Sequence, residues 1–214
     1  MYSKKIEGFI AKQVSDYLIK ILPDTPYWKS KHTWKQMVIF REGYGKLSKK
    51  IGFDECDQQS ILKWGGINNF SSYDLLRISL KELKKGELSY TTYSRISSMS
   101  KLFSFYNPNL YFILDARVAL TINHLISLAN TKDKFIPFNP TKSRGDQVKS
   151  ALIQLTSDNN YNNIGTAYIA YNSLVLSIFN QITIPNGLPQ KPEIIEMALF
   201  SMAERISESY LKSK

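Results

Sequence analysis

The sequence is poor in the residues that bind metals and form disulfide bonds. Its 214 residues include one cysteine, Cys56, and two histidines, His32 and His124. A single cysteine excludes an internal disulfide and a cysteine-based metal cluster, and two histidines are too few for a histidine metal site without carboxylate ligands. Cys56 lies in an acidic run, without the positive neighbours that activate a thiol, so we expect it to be structural. We therefore expect no metal and no cofactor.

Long apolar runs are also missing. No stretch of roughly 18 apolar residues occurs that would cross a membrane. The first residues, Met1 to Lys5, lack the apolar core of a secretion signal. No phosphate-binding loop of the glycine-rich Lys-Ser/Thr type is present. The sequence therefore predicts a cytoplasmic protein with no membrane association and no evident obligate protein partner.

Positive charge is abundant and unevenly distributed. The chain holds 28 lysines and arginines against 18 aspartates and glutamates, which gives a net charge of +10. Of these, 18 basic and 10 acidic residues precede Asn107, so the excess lies in the N-terminal half. Basic clusters alternate there with aromatic residues, an arrangement that suits a phosphate backbone with stacked bases. The alternative is a solvated basic face on an ordinary protein, and charge alone does not decide between the two.

Apolar residues recur at helical spacing through most of the chain. Between Lys4 and Ile21 they follow a period of 3.6 residues, and Pro23 and Pro26 end this helix. Similar patterns predict helices over 33–50, 58–64, 72–85, 115–129, 146–155, 164–181 and 192–211. No alternating segment is long enough to predict a sheet, so the predicted fold class is all-α. Length and composition fit one compact domain, or one domain of two lobes with a hinge at 135–145.

The most informative stretch of the sequence ends on Asp115. Bulky apolar residues from Tyr111 to Leu114 precede it, and apolar residues from Val118 onwards continue at helical spacing. The pattern predicts an extended segment and then a helix that begins at Asp115. Aspartate is a favoured helix N-cap, and capping alone explains this position. A carboxylate against an apolar wall also suits a base or a charge stabiliser, and Arg117 could bind a phosphate.

Two segments resemble motifs of a known enzyme family. The run from Ile96 to Ser100, with a predicted helix on either side, resembles the apolar-x-Gly-apolar-Gly hairpin of the helix-hairpin-helix DNA glycosylases. The run from Asp115 to Val118 resembles their Asp-x-His-Val segment. The resemblance is closest to the bacterial branch with an 8-oxoguanine glycosylase fold, some members of which resemble defence proteins that act on phage DNA. It places the hairpin and the catalytic segment within residues 89–129.

The resemblance implies a DNA glycosylase that binds double-stranded DNA, flips out a damaged or modified base and hydrolyses its N-glycosidic bond, in repair or in antiviral defence. Asp115 would stabilise the positive charge that develops on the sugar or position the attacking water. The implied phosphate contacts come from the hairpin and its neighbours: Arg95, Ser97, Ser98, Ser100, Lys101 and Arg117.

The chain departs from this family at the hairpin. Ser98 and Ser100 replace the two glycines that let a hairpin backbone approach a phosphate closely, although serine hydroxyls also donate to phosphates. Bifunctional members have a catalytic lysine at the position of Leu102, whereas Lys101 lies one residue earlier. One helical step turns a side chain by about 100°, so phosphate contact is favoured for Lys101. A role as the catalytic nucleophile is its alternative. The expected reaction is monofunctional, with Asp115 as the main catalytic residue.

The base pocket is harder to place. Trp64, beside a Gly-Gly turn and followed by Asn68 and Asn69, offers a flat ring and amide groups that recognise a base edge. A core tryptophan at a helix end explains Trp64 equally well. Four other aromatic residues are unranked alternatives: Trp28, Trp34, Tyr44 and Tyr73. For the whole chain, the alternative function is a non-catalytic, basic, helical DNA-binding protein that uses the hairpin only to grip phosphates.

Overall fold

The chain forms a helical bundle. Its structure is a computed structural model that describes residues 1–21, 27, 32–51, 54–68, 74–130, 132–143, 145–155 and 161–212. The described α-helices are α1 Lys4–Leu18, α2 Trp34–Ile51, α3 Glu55–Trp64, α4 Asp74–Lys85, α5 Tyr90–Tyr93, α6 Ile96–Tyr106, α7 Ala116–Ala129, α8 Asp146–Leu155, α9 Ile164–Phe179 and α10 Glu193–Lys212. A short 3₁₀ helix spans Pro140–Lys142, and an isolated β-bridge joins Phe135 to Tyr161. The predicted all-α class is confirmed.

Local sequence signals explain where several helices begin and end. Ser3 caps α1 by accepting a hydrogen bond from the Ile6 amide, and the apolar stripe predicted for this helix is buried. Gly86 follows α4 with a φ of 81°, in the left-handed region that glycine adopts without strain. The predicted serine cap of this helix, Ser72, lies outside the described residues.

The helices pack in two groups around one hydrophobic core. Helix α10 contacts α1, α7, α8 and α9, whereas α6 contacts α2, α3, α4 and α5. Contacts of α2 with α10 and of α5 with α9 join the two groups. The buried apolar residues of both groups belong to a single cluster. Burial of this shared surface is the main force that holds the two groups together.

The segment predicted as a hinge, 135–145, lies within one of these groups. It connects α7 to α8, and these two helices pack on each other and on α10. The Asn123 side chain of α7 binds both backbone groups of Ile136, with distances of 3.0 and 2.8 Å. The Tyr93 hydroxyl donates to the Pro137 carbonyl at 2.7 Å. The segment is thus bonded to its surroundings and joins two helices of one group rather than the two groups.

The hairpin predicted at Ile96–Ser100 is wrong. These residues form the first turns of the continuous helix α6, and the turn that precedes it lies at Ser94 and Arg95, after α5. Ile96 and Met99 are buried at helical spacing, which favours a helix over a turn. The serines that replace the two hairpin glycines keep a negative φ, as helix residues do. The turn between the two helices therefore lies a few residues before the position predicted for the hairpin.

Candidate functional site around Asp115

Asp115 is the N-cap of α7, as the sequence predicts. Its Oδ1 accepts hydrogen bonds from the amides of Arg117 and Val118, at 2.9 and 3.1 Å. The residue is half-buried. Within the described part of the chain, both hydrogen bonds of this carboxylate end on Oδ1, so Oδ2 keeps its capacity to accept another donor. The start of a helix also favours a negative charge.

In the part of the chain that the structure describes, side chains rather than a neighbouring strand hold the apolar segment before Asp115. The Phe112 amide donates to Asn172 Oδ1 at 3.0 Å, and the Phe112 carbonyl accepts from the Tyr168 hydroxyl at 2.9 Å. Both partners lie on α9 and are buried. Burial raises the pKa of the Tyr168 hydroxyl well above its usual range, so it remains a protonated donor.

The next two residues are bound in the same way. The Ile113 amide donates to Glu196 Oε2 at 3.3 Å, and its carbonyl accepts from the Tyr171 hydroxyl at 2.7 Å. Among the described residues, Leu114 is bound by Ser100, whose Oγ accepts from the Leu114 amide at 3.0 Å and donates to its carbonyl at 3.3 Å. We call these side-chain bonds to Phe112–Leu114 the Asp115 support. They come from α6, α9 and α10, so three helices fix the segment that ends on Asp115.

A buried ion pair forms one side of this support. Arg41 on α2 and Glu196 on α10 are each 1% exposed and share two hydrogen bonds, of which the one from Nη2 to Oε1 is 3.2 Å long. Burial alone would lower the pKa of the Arg41 guanidinium, but the charge and hydrogen bonds of Glu196 outweigh this effect and raise it. Because Glu196 also binds Ile113, the pair connects the α2 side of the molecule to the backbone next to Asp115.

Glu193, one helical turn before Glu196, is buried without a partner for either carboxylate oxygen among the described residues. Burial raises the pKa of this carboxyl group from 4.5 to about 7, although the Arg41 charge opposes the rise. An ionisable group this deep in the core lowers stability when it is charged. Glu193 therefore makes stability depend on pH near neutrality.

Arg117 lies beside a cavity, with its guanidinium carbon 5.1 Å from the centre of the Phe200 ring. The cavity has a volume of about 330 Å³, at the lower end of the range for small-molecule pockets. Its lining includes a cation, two carboxylates and an amide: Arg117, Gly145, Asp146, Gln147, Val148, Glu204 and Ser207. The predicted phosphate contact by Arg117 thus has carboxylates close by, which would oppose a phosphate there.

The residues predicted to contact DNA at the hairpin divide into an exposed and a buried set. Arg95 is exposed, and Ser97 and Ser98 are half-exposed at the start of α6. Ser100 and Lys101 are buried, at 0% and 8% exposure. Ser100 binds Leu114, and Lys101 donates from Nζ to the Ser97 carbonyl at 2.7 Å. Helical packing turns both side chains inward, which disfavours the phosphate contacts predicted for Ser100 and Lys101.

The predicted base-pocket residues do not form a common surface. Trp64 is half-buried against Phe105, with 5.1 Å between the ring centres, and Arg41 lies 6.0 Å from the Trp64 ring. This placement fits the interpretation of Trp64 as a core residue at a helix end. The adjacent Gly65 leaves room for the Lys101 side chain, which a Cβ at this position would overlap. Asn68 is exposed, and Asn69 lies outside the described residues.

Of the four other aromatic candidates for the base pocket, the structure describes the side chain of Trp34. Trp34 is 2% exposed in the core, where it packs edge-on against Tyr27. The side chains of Trp28, Tyr44 and Tyr73 lie outside the described residues. Trp34 therefore belongs to the hydrophobic core.

Sequence reasoning missed Arg41, Glu196, Asn172 and Tyr171. One signal for Glu196 was present, because this carboxylate interrupts the apolar run from Ile194 to Leu199. A charged residue at a core position of a helix needs a buried partner. Arg41 gave no such signal, since it lies in the basic part of the chain where a solvated face was an equal alternative.

No family model, no curated protein and no solved structure matches the chain. Within the described residues, no three histidine, cysteine, aspartate or glutamate side chains lie close enough together to hold a metal ion. The helices of the described part also lack the length and apolar composition that a membrane crossing requires.

Proposed function

We propose that the chain is a monofunctional DNA glycosylase that flips a damaged or modified base out of double-stranded DNA and hydrolyses its N-glycosidic bond. The observation on which this proposal depends is the placement of Asp115. Its carboxylate is half-buried at the start of α7, one oxygen is committed to the helix, and the backbone before it is held by three helices. Catalytic groups need this kind of fixed geometry.

The proposed chemistry uses Asp115 as an anion next to the reacting sugar. As the bond between C1′ and the base nitrogen breaks, its electron pair leaves with the base and positive charge develops on the sugar. Asp115 Oδ2 would stabilise this charge or orient the water that attacks C1′. The products are a free base, which gains a proton, and an abasic site. No lysine adduct is needed.

Duplex DNA as the partner is supported by charge and by the surface near α6. The net charge of +10, concentrated before Asn107, favours a polyanion. Arg95, Ser97 and Ser98 lie together at the exposed start of α6 and offer a guanidinium and two hydroxyls to phosphates. Phosphate contacts of this kind set the position of the protein on DNA, and the base itself is selected elsewhere.

Replacement of Asp115 by asparagine is expected to lower the excision rate by at least about 100-fold, because the charge that stabilises the sugar is lost. Asparagine is as good an N-cap as aspartate, so the fold should persist. The measurement is a panel of duplexes with different modified bases, incubated with protein and cleaved at abasic sites with alkali. The expected result is strand cleavage by the wild type and almost none by the variant.

The matched control is Asp54→Asn, since Asp54 caps α3 by accepting from the Asp57 amide at 2.8 Å. This exchange alters an N-cap aspartate on a different helix, α3, and should leave the excision rate unchanged. Excision that survives in Asp115→Asn would contradict the proposal. A wild type that binds DNA but excises no base from the panel would instead favour the non-catalytic DNA-binding function, in which Asp115 is only a cap.

Borohydride treatment during the reaction is expected to trap no covalent protein–DNA adduct. Lys101 is buried and its Nζ is bonded to the Ser97 carbonyl, whereas an amine nucleophile must reach C1′ of the sugar. The measurement is denaturing electrophoresis of the treated mixture, with Lys101→Ala alongside the wild type. An adduct that forms in the wild type and disappears in Lys101→Ala would show that the reaction uses a lysine.

A further inference from the structure

Ser100 has an unusual position for a buried helical serine. Its hydroxyl does not bond within its own helix but reaches Leu114, the residue directly before Asp115. It satisfies both the amide and the carbonyl of that residue. Ser79, another fully buried serine, donates to the Leu75 carbonyl one turn earlier in its own helix, as helical serines commonly do, and its Oγ also bonds with the Thr92 hydroxyl of α5 at 3.0 Å. Neither of these bonds reaches the backbone before Asp115. The bond from Ser100 therefore fixes one element relative to another.

The Leu114 backbone has few other means of being held. The segment 112–114 is buried and has no regular secondary structure, and in the described part of the chain it pairs with no strand. Unpaired buried backbone groups are unfavourable, so without Ser100 both groups of Leu114 would shift towards other partners or water. Such a shift moves the Asp115 Cα directly, because the two residues are joined by one peptide unit. Phe112 and Ile113 lie further from Asp115 along the chain, and side chains of α9 and α10 bind them.

We propose that Ser100 is a positioning residue that holds the Asp115 carboxylate in its working orientation through the Leu114 backbone. This inference rests on the proposed glycosylase function. Ser100 does not touch DNA in this role, and its contribution should appear in the chemical step rather than in DNA binding. Glu196 and Tyr171 support the same segment one residue earlier, so their effect on Asp115 should be smaller.

The test compares Ser100→Ala with Ser79→Ala, since each replaces a fully buried serine and removes one hydroxyl. In Ser100→Ala, the single-turnover excision rate at saturating DNA should fall by about tenfold or more, because small displacements of a catalytic group are costly. The dissociation constant for DNA should stay within about twofold, since the phosphate contacts are retained. In Ser79→Ala both quantities should stay at the wild-type values. Equal excision rates in Ser100→Ala and the wild type would overturn the inference and leave the proposed function standing.

A second measurement does not depend on catalysis. Hydrogen exchange of the Leu114, Arg117 and Val118 amides should be faster in Ser100→Ala than in the wild type and unchanged in Ser79→Ala. Unchanged exchange at these three amides would overturn the positioning role even if no DNA substrate is found. If Ser100→Ala does not fold, Ser100→Cys is measured in the same way, because it stays close in size and weakens both hydrogen bonds to Leu114. Unchanged exchange at these amides in Ser100→Cys would likewise reject the inference.

Discussion

Replacement of Arg41 by methionine is expected to lower the free energy of unfolding by about 3–5 kcal/mol, the usual cost of removing one partner from a buried ion pair. Glu196 would be left charged in the core at 1% exposure, with the Ile113 amide as its remaining described hydrogen-bond donor. Methionine is shorter than arginine but close to it in volume, so only a small part of the loss should come from a cavity. Urea denaturation at pH 7, followed by circular dichroism, measures the change.

Two further variants test whether the uncompensated buried charge causes the loss of stability in Arg41→Met. Lys12 forms an exposed pair with Asp16, with side chains 70% and 51% exposed, and Lys12→Met should cost less than about 1 kcal/mol. The double variant Arg41→Met with Glu196→Gln removes both buried charges but leaves an acceptor for Ile113, so it should recover part of the lost stability. A double variant as unstable as Arg41→Met would show that packing, not the uncompensated charge, causes the loss.

Replacement of Glu193 by glutamine is expected to stabilise the protein at pH 8 by up to about 3 kcal/mol. Burial raises the pKa of Glu193 from 4.5 to about 7, so the folded protein keeps this proton over a range in which the unfolded chain releases it. The contribution of Glu193 to stability is therefore fully present below pH 4.5 and is lost as the pH rises through about 7. Glutamine has no proton to lose and removes this dependence.

The measurement is the difference in unfolding free energy between Glu193→Gln and the wild type at several pH values. The difference should be near zero at the acidic end and grow towards pH 8. Glu208→Gln, an exchange of an exposed glutamate on the same helix, should stay within about 0.5 kcal/mol of the wild type at every pH. A Glu193→Gln effect of the same size at all pH values would contradict the proposed protonation change.

Local structure was largely predictable from the chain. The stripe of Ile6, Ile10 and Val14 has helical periodicity, and it forms the buried face of α1. The cap at Asp115 followed from one side chain and its two nearest amides. These features depend on interactions within a few residues, which is the range over which a sequence pattern determines conformation.

The same local reasoning failed at the start of α6. The order of serines and apolar residues from Ile96 to Ser100 fitted a hairpin motif, but Met99 and Ser100 follow the helical period and are buried. Whether Ser100 faced a phosphate or the core depended on Leu114, which folding brings to it from 14 residues away. A motif match contained no information about that neighbour.

The sequence by itself determined the helices, their buried faces, the excess of positive charge and the place of Asp115 at a helix start, because each follows from local spacing or from composition. Only the tertiary structure decided what surrounds Asp115. The partners of its preceding backbone lie on α6, α9 and α10, and the Arg41–Glu196 pair joins positions 155 residues apart. Hydrogen bonds and ion pairs between distant residues depend on packing of the whole core, so no local pattern could specify them.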